Sequence, residues 1–477
     1  AAIVNFNSSN VNLNNNNKNN TNNYVRAVLA FAEKPDNNKT NKDKIIMQSM
    51  NQNQYGTGEQ DLFAPGEAGG ISLEDVFTAY FDCRRHKRGS YNALAFEYEY
   101  ERKCVELWRA INAGTYRPER SIVFIVNHPV LREVFAPSFE SRVVDHIIAN
   151  KIEPLLEHQF IDDNYATRKG KGTLYGINRV SDFIKECSED YTKDCYILKL
   201  DIKSYFMSLN KQHLYDNMAA FVKTHYHESD LPSLLFMLQA IIFDRPETHC
   251  VRRCPKNKWE KLPPDKSLFN SDGKHGMPIG RLTSQLCAAY TLDTLDHKIK
   301  EEWGIKYYGR YVDDMILVDT SKEHLIEVRE KIRLWLSERG LVLHPKKMYL
   351  QHYRKGVLFI GAMIMPGRKY VSNRTFGFCC DAIRRLNNLA SENDDYVMLH
   401  KDDFVAVINS YLGMMCHFDS YNLRQKVWHS IGKEWYSIMY LNKHLHKAVI
   451  YNRLKHSKCD KRKLLECIQN VLLQRAV

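Results

Sequence analysis

The chain has 477 residues, 44% of them hydrophobic and 11% aromatic, which allows two to four compact units at about 150 residues each. A formal net charge of +12 points first to a polyanionic partner, because clustered Lys and Arg displace counterions from a phosphate backbone. Twelve cysteines with no secretory signal and no tight spacing read as reduced thiols of a cytoplasmic protein, not a disulfide framework. No apolar run reaches the roughly 18 residues needed to span a bilayer, so no membrane partner is expected.

Twelve of the first twenty-three residues are asparagine, which buries little apolar surface and competes with its own backbone for hydrogen bonds. Residues 1–70 read as a disordered Asn-rich leader and linker, and since Met47 is the first methionine, the stretch before it reads as upstream reading frame. Helices are predicted from Leu73 to Lys87 and from Ala93 to Ala113, the latter ended by "NAGTY". The run "SIVFIVNHPVLREVFAPSFESRVVDHIIANKIEPLLE" passes from an apolar strand through a proline-marked turn into a helix with Val143, Ile147, Ile148 and Ile152 on one face. "CYILKLDIKSYF" is a short strand closing on Asp201, and "YYGRYVDDMILV" is a hairpin with Asp313 and Asp314 at its tip. An amphipathic helix from Lys322 to Arg339 ends at Gly340, and two strand-like pieces, "LVLHPKKMYL" and "GVLFIGAMIM", follow. Beyond Asn373 the pattern is helical, with Phe404, Val407, Ile408, Tyr411, Leu412 and Met415 forming one apolar face, and the stretch "KHLHKAVIYNRLKHSKCDKRK" near its end is strongly basic.

The chemistry concentrates in three aspartates. Two adjacent carboxylates on an apolar hairpin repel each other and cost desolvation unless a cation neutralises them. Mg²⁺ suits carboxylate oxygens and substrate phosphates, and two ions about 3.5–4 Å apart serve nucleotidyl transfer. His249, Cys250 and Cys254 have the best zinc-like spacing, but no second ligand pair stands at a matching distance.

"YYGRYVDD", preceded in order by "LKLDIKSYF", resembles the palm of reverse transcriptases, and the resemblance runs from about Arg117 to about Asn373. It implies an α/β (α+β) right-hand polymerase, with fingers and an antiparallel palm sheet over 71–373 and an α-helical thumb with a basic end over 374–477. The catalytic residues it implies are Asp201, Asp313 and Asp314, with Ile202 completing the set at the metals: two Mg²⁺, replaceable by Mn²⁺ in vitro. Phe206 resembles the aromatic gate that excludes a 2′-hydroxyl, while Arg168, Lys169 and Lys171 of "YATRKGKGT" resemble the fingers cations that hold the triphosphate. Lys347 of "LHPKK" resembles the palm lysine near that triphosphate, and Tyr311 and Gly361 fall where primer and template are held. For each lysine taken singly, a solvated surface position is the alternative.

"GMPIGRLTSQLCAAY" carries the subfamily. Where most reverse transcriptases place a glutamine against the nascent base pair, this chain has Ile279, followed by Gly280 and, later, Gln285. That form is similar to the reverse transcriptases of diversity-generating retroelements, which copy a template-repeat RNA with errors at adenines. The resemblance implies as partners the template-repeat RNA, the cDNA primer/template duplex, dNTPs and a small basic accessory variability protein, a homopentamer. Since asparagine codons begin with two adenines, residues 1 to about 28 are expected to be an in-frame translation of the template repeat. The competing readings are a retron-like, group II intron-like or antiphage-defence enzyme without adenine mutagenesis, and a catalytically silent RNA-binding scaffold.

Overall fold

The computed structural model describes residues 69–85, 91–127, 130–392 and 396–455. Residues 1–68, which include the Asn-rich leader, and residues 456–477 therefore lie outside the described residues. A reciprocal Ser72–Asp75 capping box starts the first helix, Leu73–Arg85. The single helix expected over Ala93–Ala113 is two, Tyr91–Glu97 and Tyr100–Asn112, broken at Tyr98 and Glu99. Phe96 from the first and Tyr100 from the second both stack on Tyr80, at 5.7 and 4.9 Å.

Strands β1 (Ile122–Val126) and β2 (Arg132–Ala136) form an antiparallel hairpin whose alternating burial marks one covered face. β2 is a strand where the sequence suggested only a turn, because a five-residue strand ending against Pro137 gives too short a periodicity to recognise. Ser138 then caps the helix Phe139–Gln159, whose Val143, Ile147, Ile148 and Ile152 are buried as the spacing predicts. After the helix Thr173–Cys187 comes β3 (Tyr196–Asp201). A short strand β4 (Val251–Arg252) joins β1 in parallel, its segment tied down by Glu133 of β2, which accepts from Trp259 Nε1, Ser267 Oγ and Leu268 N.

The central sheet is built from β3 with the hairpin β5 (Tyr307–Tyr311) and β6 (Asp314–Asp319), and with β7 (Tyr349–His352), in the order β5-β6-β3-β7, all antiparallel. β6 is buried over five of its six residues, so the sheet is covered on both faces; the helices Thr173–Cys187 and Lys322–Ser337 pack on it. Of "LVLHPKKMYL", only the end is strand, because the turn at Pro345 interrupts the run. "GVLFIGAMIM" is a hairpin, β8 (Val357–Phe359) and β9 (Ala362–Met365), turned by Ile360 and Gly361 with φ of 45° and 84°, and β10 (Arg368–Val371) extends it.

A second core follows, centred on Ile383, Phe404, Ile408, Leu412 and Trp435, with Phe404 stacked on Trp435 at 3.7 Å. The purely helical expectation for this region needs one correction. β11 (Met439–Leu441) and β12 (Ala448–Ile450) form a hairpin in it, closed by Asn442 Oδ1, which accepts from His446 N and Lys447 N. An asparagine turn inside a basic stretch gives little sequence signal against a helix.

Candidate active site at the carboxylate end of the central sheet

Cross-strand register brings the acidic residues together: Asp201, last residue of β3, lies directly opposite Asp314, first residue of β6. Both are buried, at 1% and 2% exposure, while Asp313 in the β5–β6 turn is partly exposed. Desolvation, then the neighbouring Asp314 and Asp201 carboxylates, push the Asp313 carboxyl up to about 6. The turn is tight, Tyr311 pairing with Asp314 across Val312 and Asp313, and Val312 sits at φ 57°, a costly conformation for a β-branched residue.

Among the described residues no three His, Cys, Asp or Glu side chains converge on one metal-sized point. Among the described residues, Lys347 and Lys199 bring ammonium groups to the buried aspartates. Lys347 Nζ lies 3.0 Å from each Asp201 carboxylate oxygen, and Lys199 Nζ lies 3.6 Å from Asp314 Oδ1. The local sequence explains the first pair. His344 N donates to Asp201 O at 2.7 Å and Lys347 N to His344 O at 3.2 Å, so a turn with Pro345 at its second position returns Lys347 over the carboxylate. Ile202, buried, bridges to Leu343 on the same segment.

Phe206 is 7% exposed on the short helix Tyr205–Ser208, edge-on to Tyr205 and two residues after Ser204, whose φ is 47°. Gly280 has φ 124°, and a Cβ there would stand 2.5 Å from Phe135 O, so the "GMPIG" glycine is required where this segment crosses β2. Ile279, half-buried, accepts from Phe135 N at 2.8 Å through its carbonyl. Gln285 is 3.5 Å from Thr167 Oγ1, which links this segment to "YATRKGKGT".

The three cations of that motif are not equivalent. Arg168 is committed to the fold: its guanidinium forks onto the Glu157 carboxylate at 2.8 and 2.7 Å and donates to Ile161 O and Asn164 O. Lys171 pairs with Asp162, and Lys169 is exposed. Tyr311 is buried within electrostatic reach of Asp314, and Gly361 lies in the β8–β9 turn, its carbonyl accepting from Ser372 N. In the zinc-like triplet His249 pairs with Asp244 and Cys254 accepts from Ile125 N, so these residues serve packing. A cavity of about 770 Å³, lined by Asn210, His213, Phe221, Tyr290, Trp335 and Arg339 among others, includes none of the three aspartates.

Sequence reading missed several groups here. Burial pulls the Arg132 guanidinium of β2 below its ordinary value while Asp313 and Asp314 oppose the shift, which puts the β1–β2 hairpin within electrostatic reach of the carboxylates. Arg281 is buried against Asp145 and Asp244, and Thr283 Oγ1 donates to Asp145 at 2.7 Å, anchoring the "RLTSQ" segment. A charge in an otherwise apolar run was the available signal.

A third carboxylate in register beside a hairpin-tip pair, on an antiparallel sheet flanked by helices and followed by a mainly helical unit, defines a right-hand polymerase. Residues 130–364 match the family described as reverse transcriptase (RNA-dependent DNA polymerase). The chain therefore contains a reverse transcriptase domain, and the enzyme class of that domain is RNA-directed DNA polymerase. Protein YkfC of Escherichia coli (strain K12) is 21% identical over 294 residues, 54% of this chain and 69% of that protein. Apo telomerase from Candida tropicalis, truncated from the C-terminal domain, matches with a TM-score of 0.38 and 16% identity over 53% of this chain. This chain spans 55% of that one. Telomerase from Candida albicans in complex with a fragment of telomeric RNA matches with a TM-score of 0.38 and 10% identity, over 72% of this chain and 67% of that one. At these scores no property passes from telomerase to this protein.

Proposed function

We propose that this protein is the reverse transcriptase of a diversity-generating retroelement, copying a template-repeat RNA into cDNA with errors at adenines. The observation that carries the reading is Ile279, a side chain without any hydrogen-bonding group at the place where the resemblance puts a pairing-sensitive residue. A lost hydrogen bond is worth about 0.5–1.5 kcal/mol, a few-fold to tenfold in discrimination. Ile279 thus lowers fidelity and leaves a stronger adenine bias to other contacts.

The donor set fits hard divalent cations: Asp201, Asp313 and Asp314, with Ile202, would hold two Mg²⁺. When bound, the ions supply charge neutralisation for the attacking 3′-hydroxyl and the leaving pyrophosphate. Lys347, now on Asp201, is released toward the triphosphate, and Lys169 and Arg132 approach it from the fingers side. Arg168 acts by fixing the fingers loop through Glu157. Phe206 excludes the 2′-hydroxyl, Tyr311 and Gly361 support primer and template, and residues 374–477 grip the duplex as thumb. The partners are a homopentameric accessory protein and an RNA whose template repeat is translated in frame in residues 1 to about 28, in the cytoplasm.

The test mixes the protein, its accessory partner and RNA transcribed from just upstream of its gene with Mg²⁺ and four deoxynucleotides, and sequences the cDNA. Errors concentrated opposite template adenines are expected. Faithful cDNA would leave a polymerase but move it toward a retron-like or defence role.

A further inference from the structure

We propose that Arg310 and Asp296 are positioning residues that hold the Val312–Asp313 turn in its metal-binding geometry; this rests on the metal reading of the aspartates given above. Both side chains are fully buried, at 0% exposure. Arg310 Nε donates to both Asp296 oxygens at 2.7 and 3.0 Å, and Nη2 donates to Asp296 Oδ2 and, at 3.0 Å, to Ala289 O. Tyr308 Oη donates to Asp296 Oδ1 at 2.6 Å. The remaining contact is the informative one. Arg310 Nη1 donates at 3.0 Å to the carbonyl of Val312, the residue whose φ of 57° sets the direction of Asp313.

Stability alone does not call for this arrangement, because a well-packed apolar pair is often as stable as a buried ion pair. An apolar pair could not donate to Val312 O. A β-branched residue in the left-handed region persists only where its surroundings over-determine it, and the planar guanidinium does so by fixing that peptide from a rigid anchor. The anchor is Asp296 together with Ala289, which lies in the helix Leu282–Thr291 that begins just after Gly280. The catalytic turn and the helix carrying Gln285 are thereby fastened to one guanidinium, so the carboxylates and the nucleotide-facing segment hold a common frame.

The experiment titrates the full chain with Mn²⁺ and follows binding by electron paramagnetic resonance, without nucleic acid. Arg310→Lys keeps a charge beside Asp296, but an ammonium cannot reach Asp296, Ala289 O and Val312 O together, so Mn²⁺ affinity falls about 10-fold or more. Adding Val312→Gly brings affinity back to within about 3-fold of the unmodified protein, because glycine adopts this φ without strain. If Arg310→Lys does not fold, Asp296→Asn with and without Val312→Gly carries the same comparison. Unchanged affinity in Arg310→Lys or Asp296→Asn, or a loss that Val312→Gly does not reverse, overturns the positioning role. Asp314→Asn is measured alongside: if it binds Mn²⁺ as the unmodified protein does, the metal reading itself fails, a result distinguishable from the other two.

Discussion

Replacing Gly280 by alanine should disturb both the fold and the segment that the proposed function sets against the nucleotide, and the size of the effect follows from the geometry. The residue has φ 124°, outside the region side chains readily adopt, which costs about 1–3 kcal/mol. The new Cβ would stand 2.5 Å from Phe135 O, a backbone atom that can retreat only by moving β2. That retreat strains the Phe135 N to Ile279 O bond of 2.8 Å. Its loss adds about 1 kcal/mol, for a total of about 2–4 kcal/mol. Gly340 is the internal control, since its φ is 69° and nothing lies within 4 Å of an added Cβ. Gly340→Ala should cost about 1–2 kcal/mol, the backbone cost alone. Urea unfolding followed by tryptophan fluorescence measures both variants, and primer extension gives the KM for deoxynucleotide, which should rise in Gly280→Ala only. Equal destabilisation of the two variants, with no change in KM, would refute the argument that this glycine is required by the crossing of β2.

Lys347→Ala removes the ammonium that faces the buried Asp201. Because Lys347 is 43% exposed, the loss is modest, about 1 kcal/mol, and the melting temperature should fall by about 1–2 °C without Mg²⁺. Mg²⁺ should raise it more in the variant than in the unmodified protein, since the cation no longer competes with Lys347; equal shifts would show that the two do not share Asp201. Glu140 supplies a pH test: burial, then Glu119 and Glu106, raise its carboxyl from 4.5 to about 7. The folded state therefore binds the extra proton between those values, so stability falls as pH rises through that window. Glu140→Gln should be more stable than the unmodified protein above pH 7, by about 2–3 kcal/mol allowing for screening, and nearly equal below pH 4.5. Parallel stability curves for the two proteins from pH 4 to 8 would contradict this assignment.

The palm was legible because its signal is local. Apolar runs that end on Asp201 and flank Asp313 and Asp314 place carboxylates at strand ends, and antiparallel pairing then brings Asp201 opposite Asp314. The glycine of "GMPIG" could be seen, but the reason for it, the carbonyl of Phe135, is 145 positions earlier in the chain and has no trace in sequence. The same holds for Arg168, whose partner Glu157 sits on the preceding helix, so that a cation suited to phosphate by composition is spent on a carboxylate. Arg310 stood in plain view within "YYGRYVDD", yet only its distances to Asp296 and to Val312 O separate a positioning group from a solvated one. β11 and β12 were hidden because three-residue strands have too short a period to recognise.

The most direct measurement is primer extension on an RNA template with Mg²⁺, comparing the unmodified chain with Asp314→Asn. cDNA is expected from the unmodified protein, with a loss of about 10²–10³-fold or more in Asp314→Asn and RNA binding retained in both. Equal synthesis by the two proteins would contradict the assignment of the carboxylates at the end of the central sheet as the site of nucleotidyl transfer.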